Sequence, residues 1–264
     1  METNTHLKEE VKKAHTLLSR PSFIIRFSDF VGKPVTSVLN SLPQSTAELI
    51  AGAADRALRT CLKGSLLTLK SRSEAPARNW LHKLLCAGTG VIGGVGSVPT
   101  LLAEIPLTTG IMLRSIAEIA RSEGEDLADP ETQLACISVF ALEGGNKDDD
   151  DADSGFFVSR VAIAKMVRDA SKFLSESAAK KISESATAPI VVRFLQQASS
   201  RLGVTFSEKA AAQALPIIGS VLGATINTLF IDHYQDIARG HFILRRLERR
   251  YSPDLIRKEF ESLS

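Results

Sequence analysis

Three residues that can transfer protons lie close together in the last third of the chain. Asp232 and His233 are adjacent, and His241 follows eight residues later. With Glu118, they supply the carboxylate and imidazole groups that hydrolases use as general acid and base. Two histidines at this spacing lie about 80° apart on a helix, which is unfavourable for binding one metal ion, and no nucleophile in a recognisable setting accompanies them. The four residues are the candidates for a hydrolase-like enzyme, for which the sequence predicts neither a metal nor a cofactor.

Charged residues form stripes of opposite sign on two predicted helices. From Glu118 to Glu131, six acids and one arginine give a net charge of −5. From Arg239 to Arg250, five arginines and one glutamate give +4. Because an isolated buried charge is costly, we expect Glu118 or Glu125 to pair with an arginine of the second helix, at position 239, 245 or 246. The residues of the two stripes are Arg114, Glu118, Arg121, Glu125, Asp236, Arg239, Arg245, Arg246 and Arg250.

Two long uncharged stretches indicate either core helices or membrane contact. Residues 84–103 and 210–231 contain no charged side chain, and about 20 apolar residues suffice for a bilayer span. Each stretch contains a Gly-x-x-x-Gly spacing, which lets helices approach closely. Core helices, shallow or conditional membrane insertion, and full spans all remain open. The glycines of the expected helix crossings are Gly90, Gly94, Gly219 and Gly223.

Two prolines predict how the first uncharged stretch is folded. Pro99 and Pro106 lie seven residues apart, and each removes a backbone donor and clashes with the preceding turn of a helix. We therefore expect residues 84–113 to form an apolar helical hairpin that turns between the prolines, rather than one long helix.

Helix signals occur throughout the chain, whereas strand signals are scarce. Asp129-Pro130-Glu131 combines an N-cap, a proline at the first helical position and an acid in the first turn. Only 6 % of the residues are aromatic, and no hairpin signal separates alternating apolar runs. The sequence therefore predicts an all-α protein, a single compact multi-helix bundle with the two Gly-rich apolar segments at its centre. Further predicted helix boundaries are the capping box Ser45/Glu48, a helix from Pro189 to about Gly203, and starts at Ser207 and at Ser252-Pro253.

Composition constrains the cellular compartment of the protein and the kinds of partner that it can bind. The net charge of +2 argues against nucleic-acid binding, which usually requires a basic domain. The three cysteines lack metal-ligand spacing, and an odd number cannot form a complete disulfide set. Because the first residues lack an apolar signal region, we expect a cytoplasmic protein. Five aspartates within residues 147–153 indicate a solvated loop rather than a calcium site, since the distal glutamate of a calcium loop is missing.

Three long blocks of the sequence carry a family resemblance. They are LTTGIMLRSIAEIARSEGEDLADPETQLACISVFAL, DADSGFFVSRVAIAK and LPIIGSVLGATINTLFIDHYQDIARGHFILRRLERRY, which together cover roughly residues 107–251. These blocks resemble the EcsC family of bacterial proteins, named after a gene that neighbours the ATPase and membrane subunits of an ABC transporter. The family has no established reaction, so the resemblance implies no catalytic residue. It does imply proximity to a membrane, at the inner face of the cell membrane.

The resemblance also suggests how a single helical domain over residues 1–264 is organised. We expect variable N-terminal helices over residues 1–75, an EcsC-like core over residues 76–251, and a C-terminal helix over residues 252–264.

Three functions are compatible with these patterns. The favoured prediction is peripheral association with a membrane or lipid through the Gly-rich apolar segments and the arginine stripe, because each arginine near a surface adds about 1 kcal/mol of attraction to anionic headgroups. The second is a soluble adaptor whose charged stripes bind a protein partner. The third is the hydrolase-like enzyme, for which every catalytic signature is weak.

Overall fold

A computed structural model of the chain describes residues 2–32, 35–68, 98–142, 152–176, 188–214 and 220–263. These residues form ten α-helices and one short 3₁₀ helix without any strand, which confirms the predicted all-α class. The helices are α1 (Glu2–Leu18), α2 (Phe23–Val31), α3 (Thr36–Asn40), α4 (Gln44–Thr68), α5 (Val98–Ser122), α6 (Pro130–Ser138), α7 (Ala152–Glu176), α8 (Pro189–Gln213), α9 (Ser220–Arg250) and α10 (Pro253–Glu261), and the 3₁₀ helix is Val139–Ala141.

Two helices begin where the sequence predicts. At α6, the Asp129 side chain accepts a hydrogen bond from the Glu131 amide at 3.1 Å, and Pro130 is the first helical residue. At α10, the Ser252 hydroxyl accepts from the Leu255 amide at 3.3 Å. Both side chains satisfy amides that the first turn of a helix leaves without an intrahelical acceptor.

Two predicted helix starts are wrong. Helix α4 begins at Gln44, one residue before Ser45, and the Pro43 carbonyl accepts from the amides of Thr46 and Ala47. Ser207 lies inside α8, where its hydroxyl donates to the Gly203 carbonyl at 3.0 Å. A serine hydroxyl can bond the carbonyl one turn back as readily as it can cap a helix, so the residue type alone did not distinguish the two roles.

Gly203 marks a helix crossing rather than the predicted helix end. Helix α8 starts at Pro189 as predicted but continues through Gly203 to Gln213. A Cβ atom on Gly203 would lie 3.1 Å from the Cα atom of Ala51 in α4. The glycine therefore permits close backbone contact between α4 and α8, which is the other common reason for a glycine in a helix.

The predicted turn between Pro99 and Pro106 is wrong. Helix α5 runs without a break from Val98 to Ser122 and includes both prolines. Pro99 lies in the first turn, where a helix needs no amide donor, and the interior Pro106 removes only the hydrogen bond to the Leu102 carbonyl. Packing of the long apolar face of α5 outweighs that single loss. Residues 84–97 lie outside the described part of the chain.

Helices α8 and α9 are central, and most other described helices pack against one or both of them. Helix α8 contacts α2, α3, α4 and α7, whereas α9 contacts α1, α2, α5 and α10. Buried rings link these layers: Phe230 of α9 packs edge-on against Phe23 of α2, and Tyr234 packs edge-on against both Phe230 and Phe140. The charged helix predicted from the sequence is α9, which is the longest described helix. Because α9 is central, its charged side chains extend towards the helices that surround it.

Several sequence predictions fall on residues outside this description. Gly90, Gly94 and Gly219 are among them, and so are residues 147–151 of the acidic run. Gly223 lies within α9, but its surroundings are not described. The close helix crossing at Gly219 and Gly223 therefore stays a prediction, with loss of stable folding expected for Gly223→Leu.

Candidate functional site

The turn after α5 places acids beneath the C-terminal half of α9. Helix α5 ends at Ser122, and Gly124 adopts a left-handed conformation with φ of +82°. The Gly124 amide donates to the Arg121 carbonyl at 3.0 Å, and the Glu125 amide donates to the Ala120 carbonyl at 3.1 Å. A glycine in this conformation is a common way to end a helix and reverse the chain. The reversal directs Glu125 back towards the core.

Glu125 is the buried centre of an ion-pair network, which we call the Glu125 cluster. Its carboxylate accepts from Nε of Arg245 at 3.0 Å and from Nη2 of the same residue at 3.4 Å, and it also contacts Arg249. The Thr132 hydroxyl donates to it at 3.1 Å. The predicted pairing of Glu125 with Arg245 is thereby confirmed. The members of the cluster are Glu10, Glu123, Glu125, Glu131, Thr132, Arg245, Arg246 and Arg249.

The two arginines set the protonation state of this carboxylate. Burial alone would raise the pKa of Glu125, but hydrogen bonds and charge from Arg245 and Arg249 outweigh burial and lower it. Nearby, the Cys136 thiol is 1 % exposed, and burial, with a smaller contribution from Glu125, raises its pKa. Glu125 is therefore ionised at neutral pH and is a salt-bridge member rather than a proton donor.

Arg246 extends the Glu125 cluster to the N-terminal helix. Its Nε donates to Glu123 at 2.7 Å, and its Nη2 contacts Glu10 of α1. Arg245 also reaches Glu131 at 3.4 Å. One turn of α9 therefore holds three separate parts of the chain: α1, the turn after α5, and the start of α6.

A second ion-pair group surrounds Asp236, earlier on α9. Its carboxylate lies 2.6 Å from Arg20, 3.5 Å from Arg26 and 3.4 Å from Arg239. Arg20 lies in the connection between α1 and α2, and Arg26 lies in α2. The Asp236 side chain is only 6 % exposed, so these arginines neutralise a carboxylate whose burial alone would be unfavourable.

The remaining stripe residues are Arg114, Glu118, Arg121 and Arg250, which lie outside these two ion-pair groups. Arg114 pairs with Glu118 one turn away at 3.5 Å, and the Arg114 side chain is 66 % exposed. Nε of Arg121 is buried and has no hydrogen-bond acceptor among the described residues. The guanidinium of Arg250 lies 5.8 Å from the ring centre of Tyr251.

The histidines of the hydrolase hypothesis have pKa values that their surroundings lower. Burial, together with the charge of Arg26, lowers the pKa of His233 to about 4. Burial also lowers the pKa of His241, with smaller contributions from Arg160 and Arg245. Neither ring nitrogen of His241 has a hydrogen-bond partner among the described residues. A general base needs an orienting acceptor and access to substrate, and His241 has neither, being only 4 % exposed.

A buried ion pair between Glu104 and Lys209 was missed by sequence reasoning. Lys209 Nζ lies 2.5 Å from the Glu104 carboxylate, and the Asn227 amide donates to the same oxygen at 3.0 Å. The Lys209 ammonium also lies 5.1 Å from the ring centre of Phe230. The sequence contains one indication of this pair. Glu104 directly follows the first uncharged stretch, and Lys209 directly precedes the second.

Arg160 of α7 was also missed. It forms two hydrogen bonds with Glu248 of α9, at 2.5 and 2.8 Å, and only 5 % of the residue is exposed. Such a bidentate pair fixes the orientation of both side chains. Helix α7 carries charged residues of both signs, so no sequence pattern distinguished Arg160 from the exposed cations of the same helix.

No group of three or more histidine, cysteine, aspartate or glutamate side chains among the described residues has an arrangement suited to a metal ion. In the same part of the chain, no helix is both long enough and apolar enough to cross a bilayer.

Comparison with known proteins identifies the family. The model of the EcsC protein family matches residues 5–247 of the 264. The chain belongs to the EcsC protein family. No curated protein and no solved structure matches it. The EcsC match begins at residue 5, far ahead of residue 107, where the recognised sequence blocks begin. It therefore includes Glu10, Arg20 and Arg26, so the family resemblance is not confined to residues 76–251.

Proposed function

We propose that this EcsC family protein associates reversibly with the surface of anionic membranes, and that α5 makes the contact. One observation carries the proposal: α5 exposes apolar residues along one face. Leu107 is 55 % exposed, and Pro99, Ala103 and Pro106 are exposed beside it. We call these four residues the α5 apolar face.

The sequence directly before α5 is also free of charge. Residues 84–97, directly before the helix, contain no charged side chain. An exposed apolar face in continuity with an uncharged segment suits a helix lying in the plane of the membrane interface, where buried apolar area supplies the binding free energy. Contiguous exposed apolar surface on a protein often marks an interaction site.

The cation that supports this contact lies on α5 and not among the arginines of α9. Arg239, Arg245 and Arg246 are engaged with Asp236, Glu125 and Glu123, so their charge is already compensated within the protein. Arg114 lies on α5 seven residues after Leu107, and 66 % of its side chain is exposed. Its pair with Glu118 is a surface pair of small energy, which leaves Arg114 able to attract an anionic headgroup.

Vesicle flotation with matched leucine variants tests the proposal. Leu107→Glu places a charge on the α5 apolar face, whereas Leu49→Glu places the same charge on α4 at a leucine of similar exposure, 52 % against 55 %. We expect the wild type and Leu49→Glu to float with anionic vesicles at low salt. Leu107→Glu is expected to lose at least about tenfold in binding, because a charge resists burial at the interface.

Salt and lipid composition then separate the modes of binding. Peripheral association is expected to weaken at high salt, which screens headgroup attraction, and with neutral vesicles. Absence of flotation at low salt, or equal loss in both variants, contradicts the proposal. Binding that resists both high salt and alkaline carbonate shows insertion rather than peripheral contact.

The hydrolase alternative gains no support from the described contacts. Burial and the charge of nearby arginines lower the pKa values of His233 and His241. Glu118 pairs with Arg114. These contacts do not assemble the acid, base and nucleophile that hydrolysis requires.

A further inference from the structure

The ion-pair group around Asp236 holds more positive than negative charge. Within the described part of the chain, Asp236 is the carboxylate that Arg20, Arg26 and Arg239 share, and none of the three forms an ion pair with another acid. Arg239 lies on the same helix as Asp236 and by itself balances that charge. Arg20 and Arg26 therefore add two positive charges in excess, or one if Asp232, one turn earlier on α9, is also counted.

The two excess arginines join solvent to a buried donor. The Arg20 side chain is 47 % exposed, so a small solute can reach this group from outside. Nη1 of Arg26 lies inside the protein, 3.5 Å from the Asp236 carboxylate, but it has no hydrogen-bond acceptor among the described residues. Buried donors are nearly always satisfied, and a bound ion is one way to satisfy them. Arg26 thus keeps a donor for an incoming acceptor.

The first turn of α2 adds backbone donors beside these arginines. The amides of residues 23–25 precede the first intrahelical hydrogen bond, which the Arg26 amide donates to the Ser22 carbonyl at 3.1 Å. Ser22 provides no side-chain cap, and the first turn contains no acid. Phe23 packs edge-on against Phe230 with 5.3 Å between ring centres, so this turn lies against α9. Helical side chains lean towards the N-terminus, which brings Arg26 back towards this turn.

We propose that Arg20, Arg26 and the first turn of α2 bind a phosphate group, either inorganic phosphate or the phosphomonoester headgroup of a lipid. Guanidinium groups and the free amides of a helix N-terminus are both suited to phosphate oxygens. A phosphomonoester carries about 1.5 to 2 negative charges at neutral pH, which matches the two excess arginines. The proposed membrane contact lies on α5, so this site does not depend on that proposal.

Calorimetric titration with inorganic phosphate at constant ionic strength tests the site. Arg20→Gln should weaken binding by at least about tenfold, because hydrogen bonds between charged groups are lost. Arg26→Gln should do the same and replaces the first variant if that one does not fold, which circular dichroism checks. Arg20→Lys keeps the charge and should recover part of the affinity.

Arg257→Gln is the matched control for loss of one arginine. The Arg257 side chain is 49 % exposed, close to the 47 % of Arg20, and it pairs with Glu261 on α10. This variant should bind phosphate like the wild type. Equal loss in the control overturns the proposal, as does equal binding by the wild type and both glutamine variants.

Vesicles distinguish the two sources of phosphate. Phosphatidic acid presents a phosphomonoester, whereas phosphatidylserine at equal surface charge presents a phosphodiester. A lipid ligand predicts that the wild type floats better with phosphatidic acid and that Arg20→Gln loses this preference. A soluble ligand predicts equal flotation with both vesicles and binding of inorganic phosphate. A wild type that neither binds inorganic phosphate nor prefers phosphatidic acid overturns the proposal. Leu107→Glu should leave the calorimetric titration unchanged, so failure of the α5 contact and failure of this site are separate results.

Discussion

Lys209 illustrates how a charged residue is accommodated in an apolar core. Its side chain is 0 % exposed, and that of Glu104 is 6 % exposed. The rings of Phe206 and Phe230 lie 5.8 and 5.1 Å from the ammonium. Removing two charges from water is costly, so such a pair often adds little net stability, whereas removing one member leaves a buried charge uncompensated.

We therefore expect a large difference between single and double substitutions of this pair. Lys209→Met should lower the free energy of unfolding by about 3–5 kcal/mol, because Glu104 is left buried without its cation. The double variant Lys209→Met/Glu104→Gln should recover most of that loss. Denaturant titration measures both. Equal stability of the single variant and the wild type would contradict the inferred energetic role.

The buried histidines predict that acid destabilises the protein before its carboxylates titrate. Burial lowers the pKa of His233 to about 4 and that of His241 well below its ordinary value. In the unfolded chain, both take up a proton near pH 6.5, so the unfolded state binds more protons below that pH. Each histidine should remove about 1.4 kcal/mol of stability per pH unit below about pH 6.5, until its folded-state pKa is reached.

Denaturant titrations between pH 7 and pH 5 check this expectation. The free energy of unfolding should fall as the pH falls, and His241→Leu should roughly halve the slope, because one of the two imidazoles with a lowered pKa is removed. The slope is informative even where the substitution changes stability at pH 7. A free energy that is constant over this interval would show that neither histidine is excluded from protonation in the folded state.

Among the helices, the space around each glycine distinguishes close crossings from positions that can accept a methyl group. A Cβ atom on Gly240 of α9 would lie 2.5 Å from Cγ of Leu18, whereas one on Gly110 of α5 meets nothing within 4 Å. We expect Gly240→Ala to destabilise the protein by about 1–3 kcal/mol through overpacking. Gly110→Ala should stabilise it by about 0.5–1 kcal/mol through helix propensity. Thermal unfolding of the two variants measures the contrast, and shifts of the same sign would contradict it.

The sequence predicted the helices better than it predicted their ends. The Asp129-Pro130 and Ser252-Pro253 starts were correct, since each combines a capping side chain with a proline. The helix boundaries predicted at Gly203 and Pro106 were wrong. The low helix propensity of glycine and proline favours an end there, but packing of the folded helices outweighs it. For the candidate site, opposite net charges indicated the Glu125–Arg245 pair. Arg160 and Lys209 were missed, because only the folded chain brings them to Glu248 and Glu104.

For the molecule as a whole, α1 is an integral part of the fold. Glu10 contacts Arg246, Arg20 directly after α1 contacts Asp236, and Leu18 packs against Gly240. We expect a chain lacking residues 2–20 to lose its cooperative thermal transition, because all three contacts with α9 are then removed. Circular dichroism during heating tests this expectation, with Lys12→Glu/Lys13→Glu as the folded control. A truncated chain that melts like the wild type would show that α1 is dispensable.

The reactivity of Cys136 can report when the fold opens around Glu125. Its thiol is 1 % exposed and lies close enough to Glu125 for that carboxylate to affect its pKa, whereas Cys61 is half-buried on α4. Alkylation requires an accessible thiolate, so a reagent can modify Cys136 only while this corner of the fold is open. The modification rate of Cys136, resolved by peptide mass spectrometry, therefore counts spontaneous openings around Glu125 in the unaltered protein.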